Sequence, residues 1–280
     1  MRLFNRVAIV GTGLIGGSLA LAIKKKRLAN EIIGVSRHKN TLLLAKKKHI
    51  IDRGSQDIRI IRDADLVILA TPVNTILKLA PKIRKHISRE CIVSDVGSTK
   101  HEIVSKLEKI FPKFVGSHPL AGSEKRGVMN ARPFIFEGSL CILTPTKNTN
   151  KEALAKLKKL WSQLGAKVVF LAPKVHDKAL SFVSHLPHVS AFSLISAVPK
   201  KYLRFASLGL KDTTRIAASD SQLWCDILLS NQKNMLKAIE MYEDNLSQVK
   251  SAIKKKDKKL LDLILKKAKD KRISLNRFPA

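Results

Sequence analysis

Three histidines, a serine and an arginine carry the side-chain chemistry most open to catalysis in this sequence. His118 stands in the run Ser117-His118-Pro119-Leu120-Ala121-Gly122-Ser123. An unperturbed imidazole titrates near neutral pH, so His118 is a candidate general base rather than a residue that merely closes a strand. Ser98, within Asp95-Val96-Gly97-Ser98-Thr99-Lys100, adds a hydroxyl that can orient a reacting group. His185 and His188, within Ser184-His185-Leu186-Pro187-His188, are three apart and share a helical face. That spacing suits two metal ligands, but no third ligand accompanies them, so burial or substrate contact is expected and no metal. Lys211-Asp212-Thr213-Thr214-Arg215 crowds opposite charges. It reads either as a surface salt bridge or as a carboxylate clamp in which Asp212 orients the Arg215 fork.

Positioning these groups falls first to the segment 7–18, VAIVGTGLIGGS, which sets an apolar strand directly before Gly11-x-Gly13-x-x-Gly16 and then opens an Ala/Leu/Ile run to Ile23. This is a dinucleotide-binding turn in its proper context. Gly11 permits the tight turn, Gly13 lets backbone approach a pyrophosphate, and Gly16 lets helix and strand pack closely. Thr12, Leu14 and Ile15 complete the cofactor-facing turn. NAD sites place a carboxylate about 20 residues beyond the glycines to hold the ribose hydroxyls. Here the second strand ends Gly34-Val35-Ser36-Arg37-His38. A hydroxyl and a guanidinium suit a 2′-phosphate, so Ser36 and Arg37 favour NADP over NAD, with NAD still possible. Thr71 and Pro72, at the end of a further strand, are also expected against the cofactor.

Residues 7–23 are uncharged after Arg2 and Arg6, which invites a signal-peptide or membrane reading. The glycines lower its hydrophobicity, the length is short for a span, and Lys24-Lys25-Lys26-Arg27 stands where a cleavage site belongs. No membrane association is expected. Three cysteines, Cys91, Cys141 and Cys225, lack metal-type spacing and suit a reducing, cytoplasmic location. A net charge of +31 suggests nucleic acid. The lysines are dispersed along helices without interleaved stacking aromatics, so no nucleic-acid partner is expected. The richest stretch, 253–272, carries Ile253, Leu260, Leu261, Ile264 and Ala268 and reads as one amphipathic helix with lysines on its wet face.

Residues 64–71 (ADLVILAT) and 90–95 (ECIVSD) are runs of buried parallel-strand type, each followed by a helical pattern, to Ile83 and to Ile110 respectively. A short strand over 113–117 ends at His118. Strand-helix alternation predicts a doubly wound, mostly parallel Rossmann-type sheet with ligands beyond the carboxyl ends of its strands, where Ser98 and His118 fall. Residues 139–143 and 168–171 are the last strands, and Asn150 caps a helix over 151–164 that Gly165 stops. Beyond, the pattern is helical throughout, beginning with a long apolar helix over 173–198 that Pro187 kinks. The expected organisation is an α/β dinucleotide-binding domain over 1–172 and an all-helical substrate-binding and dimerisation domain over 173–280.

Five segments in this order resemble the prephenate and arogenate dehydrogenases of tyrosine biosynthesis: GTGLIGGS, DVGSTK (95–100), SHPLAGSEK (117–125), SHLPH (184–188) and DTTRIA (212–217) with Trp224 downstream. The resemblance spans nearly the whole chain. It implies NAD(P)-dependent oxidative decarboxylation of prephenate or arogenate by a homodimer. His118 takes the ring hydroxyl proton while Ser98 orients that hydroxyl and His118. His188, Arg215, Ser184 and Trp224 bind the dicarboxylate substrate, and Glu124, Lys211 and Asp212 form a polar network at the entrance. The apolar 173–198 helix suits an obligate interface. No fused chorismate mutase is expected before residue 6 and no regulatory domain after Arg272.

Two departures stand out. Ser207-Leu208-Gly209 replaces the paired glycines of many relatives, which narrows or reshapes the substrate pocket, and Ser36-Arg37 replaces the aspartate of NAD-using members. Among rivals, a β-hydroxyacid dehydrogenase relies on a lysine in its helical half and does not need His118. A redox sensor binding NADP and a polyanion leaves Ser98, His118 and Arg215 unexplained.

Overall fold

Successive residues of the central strands alternate between two apolar cores, one on each face of a single eight-stranded sheet. The computed structural model describes residues 2–123 and 125–277. Its strands are β1 (Phe4–Val10), β2 (Ala29–Val35), β3 (Arg53–Ser55), β4 (Leu66–Leu69), β5 (Ile92–Asp95), β6 (Phe114–Pro119), β7 (Leu140–Thr144) and β8 (Lys167–Phe170), in the spatial order β3-β2-β1-β4-β5-β6-β7-β8. Neighbours run parallel except β6 and β7, which are antiparallel. Helices α1 (Leu14–Lys25), α2 (Lys39–Lys47), α3 (Val73–Arg84), α4 (His101–Leu107) and α5 (Lys151–Gln163) link them.

Side chains alternate along a strand, so Val7 and Ile9 of β1 and Leu66 and Ile68 of β4 meet Leu19 and Ile23 of α1, Leu42 of α2 and Leu157 of α5. Their neighbours Ala8, Val10, Val67 and Leu69 meet Ile76 and Ile83 of α3 and Ile103 and Leu107 of α4 on the opposite face. Both faces being covered, the strands read as continuous apolar runs. This is the expected doubly wound α/β fold. Strand β3 is unforeseen, since three half-exposed residues carry no periodicity.

Asn150 caps α5 by accepting a hydrogen bond from the Ala153 amide at 2.9 Å, and Gly165 ends that turn at φ +86°. Helix α4 is shorter than the pattern through Ile110 predicts. It begins at His101, and its first amides are held by a distant side chain, Asp177, which the local sequence does not reveal.

After β8 the structure is helical: α6 (Pro173–Leu180), a π-helical turn (Ser181–His185), α7 (Leu186–Ala197), α8 (Leu208–Thr214), α9 (Ser221–Ser230), α10 (Gln232–Lys254) and α11 (Lys258–Ser274). The predicted 173–198 helix runs on through the αR residues His185 and Leu186 but widens into the π turn just before Pro187, whose ring nitrogen cannot make the usual helical hydrogen bond to the preceding turn. The single helix expected over 253–272 is instead two. Lys256 turns left-handed at φ +50°, and Asp257 restarts the chain by accepting from the Leu260 amide at 2.9 Å. Ile253 and Leu260 remain exposed on this protomer, so the apolar stripe has no core of its own to cover. No helix among the described residues is long and apolar enough to cross a membrane.

Candidate active site

Beyond the carboxyl ends of β1, β4, β5 and β6 lies a cleft of about 1230 Å³, walled on the other side by the helical region. Behind its floor Gly11 turns the chain at φ +103°, where a Cβ would lie 2.5 Å from the Ala70 carbonyl oxygen. A Cβ on Gly16 would collide with the Gly11 carbonyl, so α1 can sit this close to the turn only with glycine there. Gly13, the N-cap of α1, has nothing within 4 Å of where a Cβ would be and opens onto the cleft beside Leu14 and Ile15. The hydroxyls of Thr12 and Thr71 are buried with no hydrogen-bond partner among the described residues. Open backbone at a helix N-terminus and unpartnered hydroxyls fit a dinucleotide. Thr71 and Pro72 line the same wall. Thr12, Gly11 and Gly16 shape the turn from behind.

Arg37 reaches the cleft from the end of β2. Its Nε donates to His38 Nε2 at 2.9 Å, and its carbonyl accepts from Gln56 Nε2 at 2.7 Å. Ser36 lies just behind, its hydroxyl accepting from the His38 amide at 3.2 Å.

His118 enters from β6, where it pairs with Ile142, and is 7% exposed. Its Nδ1 lies 2.8 Å from His176 Nε2, and His176 Nδ1 lies 2.8 Å from Asp177 Oδ1. Asp177 also accepts from the amides of Lys100 at 2.7 Å and His101 at 2.9 Å, so α6 is tied to the start of α4. Beneath lies the fully buried pair Lys100 and Asp95. Burial pushes the His118 imidazole well below its ordinary value, and the charges of His176, Lys100 and His185 act in the same direction. His118 is therefore neutral near neutral pH, as a proton acceptor must be. Burial would raise the Asp177 carboxyl, but hydrogen bonds from His176 and the two amides hold it below the usual carboxylate range. Ser98 lines the cleft with His118 but makes no side-chain hydrogen bond to a described residue. The bond that holds the His118 ring comes from His176 rather than from Ser98.

The helical wall contributes Ser184, His188, Arg215 and Trp224. His188 stacks on Trp224 with ring centroids 3.6 Å apart. Burial lowers the His188 pKa, and the positive charge of Arg215 adds to the effect against the Ser184 carbonyl. His185 is buried and turned instead toward Asn231, with Nδ1 to Nδ2 at 3.3 Å, so the two histidines of SHLPH face different partners.

Two expectations change. Lys211 and Asp212 are exposed on α8 and lie outside the cleft walls. The chain tightens into a 3₁₀ turn at Arg215–Ala218, and only from there does it border the cleft. Leu208 is likewise exposed and outside the cleft, so in the protomer the Ser207-Leu208-Gly209 departure does not narrow it. Glu124 lies outside the described residues. Sequence reasoning missed His176, Asp177 and Asn231. Their signal, buried polar residues in an apolar helical run, appears only once His176 is seen beside His118, 58 residues away.

The arrangement joins a glycine-turn floor with unpartnered hydroxyls, a buried imidazole and a wall that carries the Arg215 guanidinium. Residues 19–170 match the family model for the nucleotide-binding domain of prephenate dehydrogenase, and residues 172–267 match that for its dimerization domain. The chain is 37% identical to the prephenate dehydrogenase of Bacillus subtilis over 97% of its own length and 76% of the relative's. It is 31% identical to the cyclohexadienyl dehydrogenase of Zymomonas mobilis, over 98% of this chain and 97% of that one. A crystal structure of prephenate dehydrogenase from Aquifex aeolicus, in complex with hydroxyphenyl propionate and NAD+, superposes with a TM-score of 0.91 at 38% identity, covering 97% of this chain and 98% of that one. With the fold, the site and both family models in agreement, this chain belongs to the prephenate dehydrogenase family.

Proposed function

We propose that the protein catalyses the NAD(P)-dependent oxidative decarboxylation of prephenate or arogenate, with NADP favoured. The observation that carries this reading is the position of His118, buried and neutral in a cleft between the glycine turn and the His188, Trp224 and Arg215 wall. Residues 1–172 act as the nucleotide-binding unit and 173–280 as the substrate-binding and dimerisation unit.

A bound nicotinamide supplies the hydride acceptor. Gly13 and the N-terminus of α1 hold the pyrophosphate, with the Thr12 and Thr71 hydroxyls available to the cofactor. Ser98 orients the substrate's ring hydroxyl, and His118 accepts its proton as the hydride leaves the same ring carbon. The electron pair of the breaking bond to carbon dioxide then enters the ring and makes it aromatic, and His118 returns the proton to the ring oxygen. Aromatisation drives the reaction forward, so the protein's task is chiefly alignment and polarisation of one hydroxyl. Arg215 grips a substrate carboxylate and His188 adds a neutral hydrogen-bonding group beside it.

Arg37 and Ser36 at the end of β2 support NADP, since a guanidinium matches a 2′-phosphate that NAD lacks. Exposed Leu236, Met241, Leu246, Ile253, Leu263 and Leu265 on α10 and α11 support a homodimer, because an isolated protomer leaves them in water. Free thiols at Cys91, Cys141 and Cys225 fit the cytoplasm. The test is absorbance at the reduced-nicotinamide band with NADP+ or NAD+ and prephenate, arogenate or a β-hydroxyacid. Turnover of either cyclohexadiene is expected, faster with NADP+. Turnover of the hydroxyacid alone, or of none, overturns the reading.

A further inference from the structure

We propose that His176 and Asp177 are positioning residues, donated by the helical half of the chain, that hold His118 in the one tautomer able to accept the substrate proton. The inference rests on the proposed reaction only for what His118 does with that proton. The lock itself follows from hydrogen-bond chemistry.

An ionised carboxylate can only accept. Asp177 Oδ1 faces the Lys100 amide at 2.7 Å and His176 Nδ1 at 2.8 Å, and Oδ2 faces the His101 amide at 2.9 Å. His176 Nδ1 therefore carries the hydrogen. Its ring is buried and, on balance, held below the ordinary histidine pKa by that burial, so it is neutral and its Nε2 is a lone-pair acceptor. His118 Nδ1, 2.8 Å away, must then donate. The reverse order would aim the His176 Nδ1 lone pair at a carboxylate oxygen in a buried site, a repulsion that nothing nearby offsets. His118 is left with its lone pair on Nε2, the nitrogen not engaged by the array.

Other charged groups bear on the ring as well. Lys100 of the α4 start and His185 of the π-helical turn both oppose a positive charge on His118, and Asp95 is paired with Lys100. Asp177 is thus the anion connected to His118 through a hydrogen-bonded chain. When Nε2 takes the substrate proton, Nδ1 keeps its hydrogen and its bond to His176; no proton travels along the array. Because His176 and Asp177 belong to α6 while His118 belongs to β6, the base acquires its tautomer from contact between the helical half and the sheet.

Long-range proton-nitrogen correlation spectra of the full-length protein, labelled at histidine ring nitrogens and assigned with His118→Asn, report the tautomer directly. The expected result is hydrogen on Nδ1 of His118 in the wild type. Hydrogen on Nε2 overturns the proposal whatever the activity, whereas lack of turnover of both cyclohexadienes by the wild type overturns only the proposed reaction. Asp177→Asn should shift His118 toward the Nε2–H form and lower kcat roughly 10²- to 10⁴-fold, with nucleotide affinity and substrate KM changing less than about threefold. An unchanged tautomer with kcat within about threefold of wild type sinks the idea. His176→Gln and His176→Phe give a second comparison, since a glutamine carbonyl can accept from His118 Nδ1 and a phenyl ring cannot. Glutamine should retain at least about tenfold more kcat than phenylalanine at comparable melting temperature, and equal losses count against the lock.

Discussion

The imidazole of His188 lies nearly flat on the indole of Trp224, with 25° between the rings, and so joins α7 to α9 across the cleft wall. Trp224 is 8% exposed and also meets His185 edge-on at 6.1 Å, which fixes it from two sides. A carbonyl can only accept, so His188 Nδ1 donates to Ser184 O at 3.1 Å, and its Nε2 lone pair is left for another partner. The charge of Arg215 further disfavours protonation of this ring. The wall therefore offers one permanent cation and one neutral imidazole, a division suited to a substrate with two carboxylates and a polar side chain.

His118→Asn should abolish turnover while leaving nucleotide affinity nearly intact. Loss of a general base lowers rate about 10²- to 10⁴-fold, roughly 3 to 5 kcal/mol of transition-state stabilisation. Steady-state kinetics beside nucleotide titration checks this, and a kcat within about threefold of wild type removes His118 from the chemistry.

Arg215→Ala should raise the substrate KM by an amount worth roughly 2 to 4 kcal/mol with the cofactor KM little changed. Lysine at this position should rescue only in part, because a point charge does not reproduce the planar fork. A folded alanine variant with wild-type substrate KM rules out the carboxylate clamp.

Arg37→Ala should weaken NADP+ much more than NAD+, since only the former carries the 2′-phosphate. Dissociation constants for both cofactors measured on the same preparation decide it. Equal losses mean that Arg37 does not read that phosphate.

Stability should fall on mild acidification. Burial lowers the pKa of His185 to about 4, and of His118 and His176 in the same direction. Each stays neutral in the folded state while the unfolded chain takes up protons below about pH 6.5. These depressed histidines therefore contribute stability fully above that pH, and it is lost as pH falls toward the folded values. For His185 the loss between pH 7 and pH 5 is on the order of 2 kcal/mol. Chemical denaturation at the two pH values, in wild type and His185→Gln, should show a smaller decline in the variant. Identical declines would place the acid sensitivity elsewhere.

Much of the fold was legible because its signals are local. The glycine turn, the continuous apolar strands, the Asn150 cap and the Gly165 stop each depend on residues within a few positions of one another, and all appear where the sequence puts them. Three elements are not legible in this way, each for its own reason. The start of α4 is set by Asp177 from a distant helix, β3 is too short and exposed to show a period, and the break at Lys256 lies in a lysine run whose composition alone favours continuing the helix.

The same distinction divides the site. His118, Ser98, His188 and Arg215 were identifiable by residue type, by their place at strand ends or in marked segments, and by their family resemblance. The sequence alone also determined that a dinucleotide turn precedes them. Only the tertiary structure decided that Arg215 borders the cleft while Lys211 and Asp212 of the same segment do not, because that depends on where a helix tightens. It alone set the His176 and Asp177 pair behind the base. A hydrogen bond between β6 and α6 joins residues with no common periodicity, and its direction is fixed by burial and by which atoms can only accept, quantities that exist only after the chain has folded.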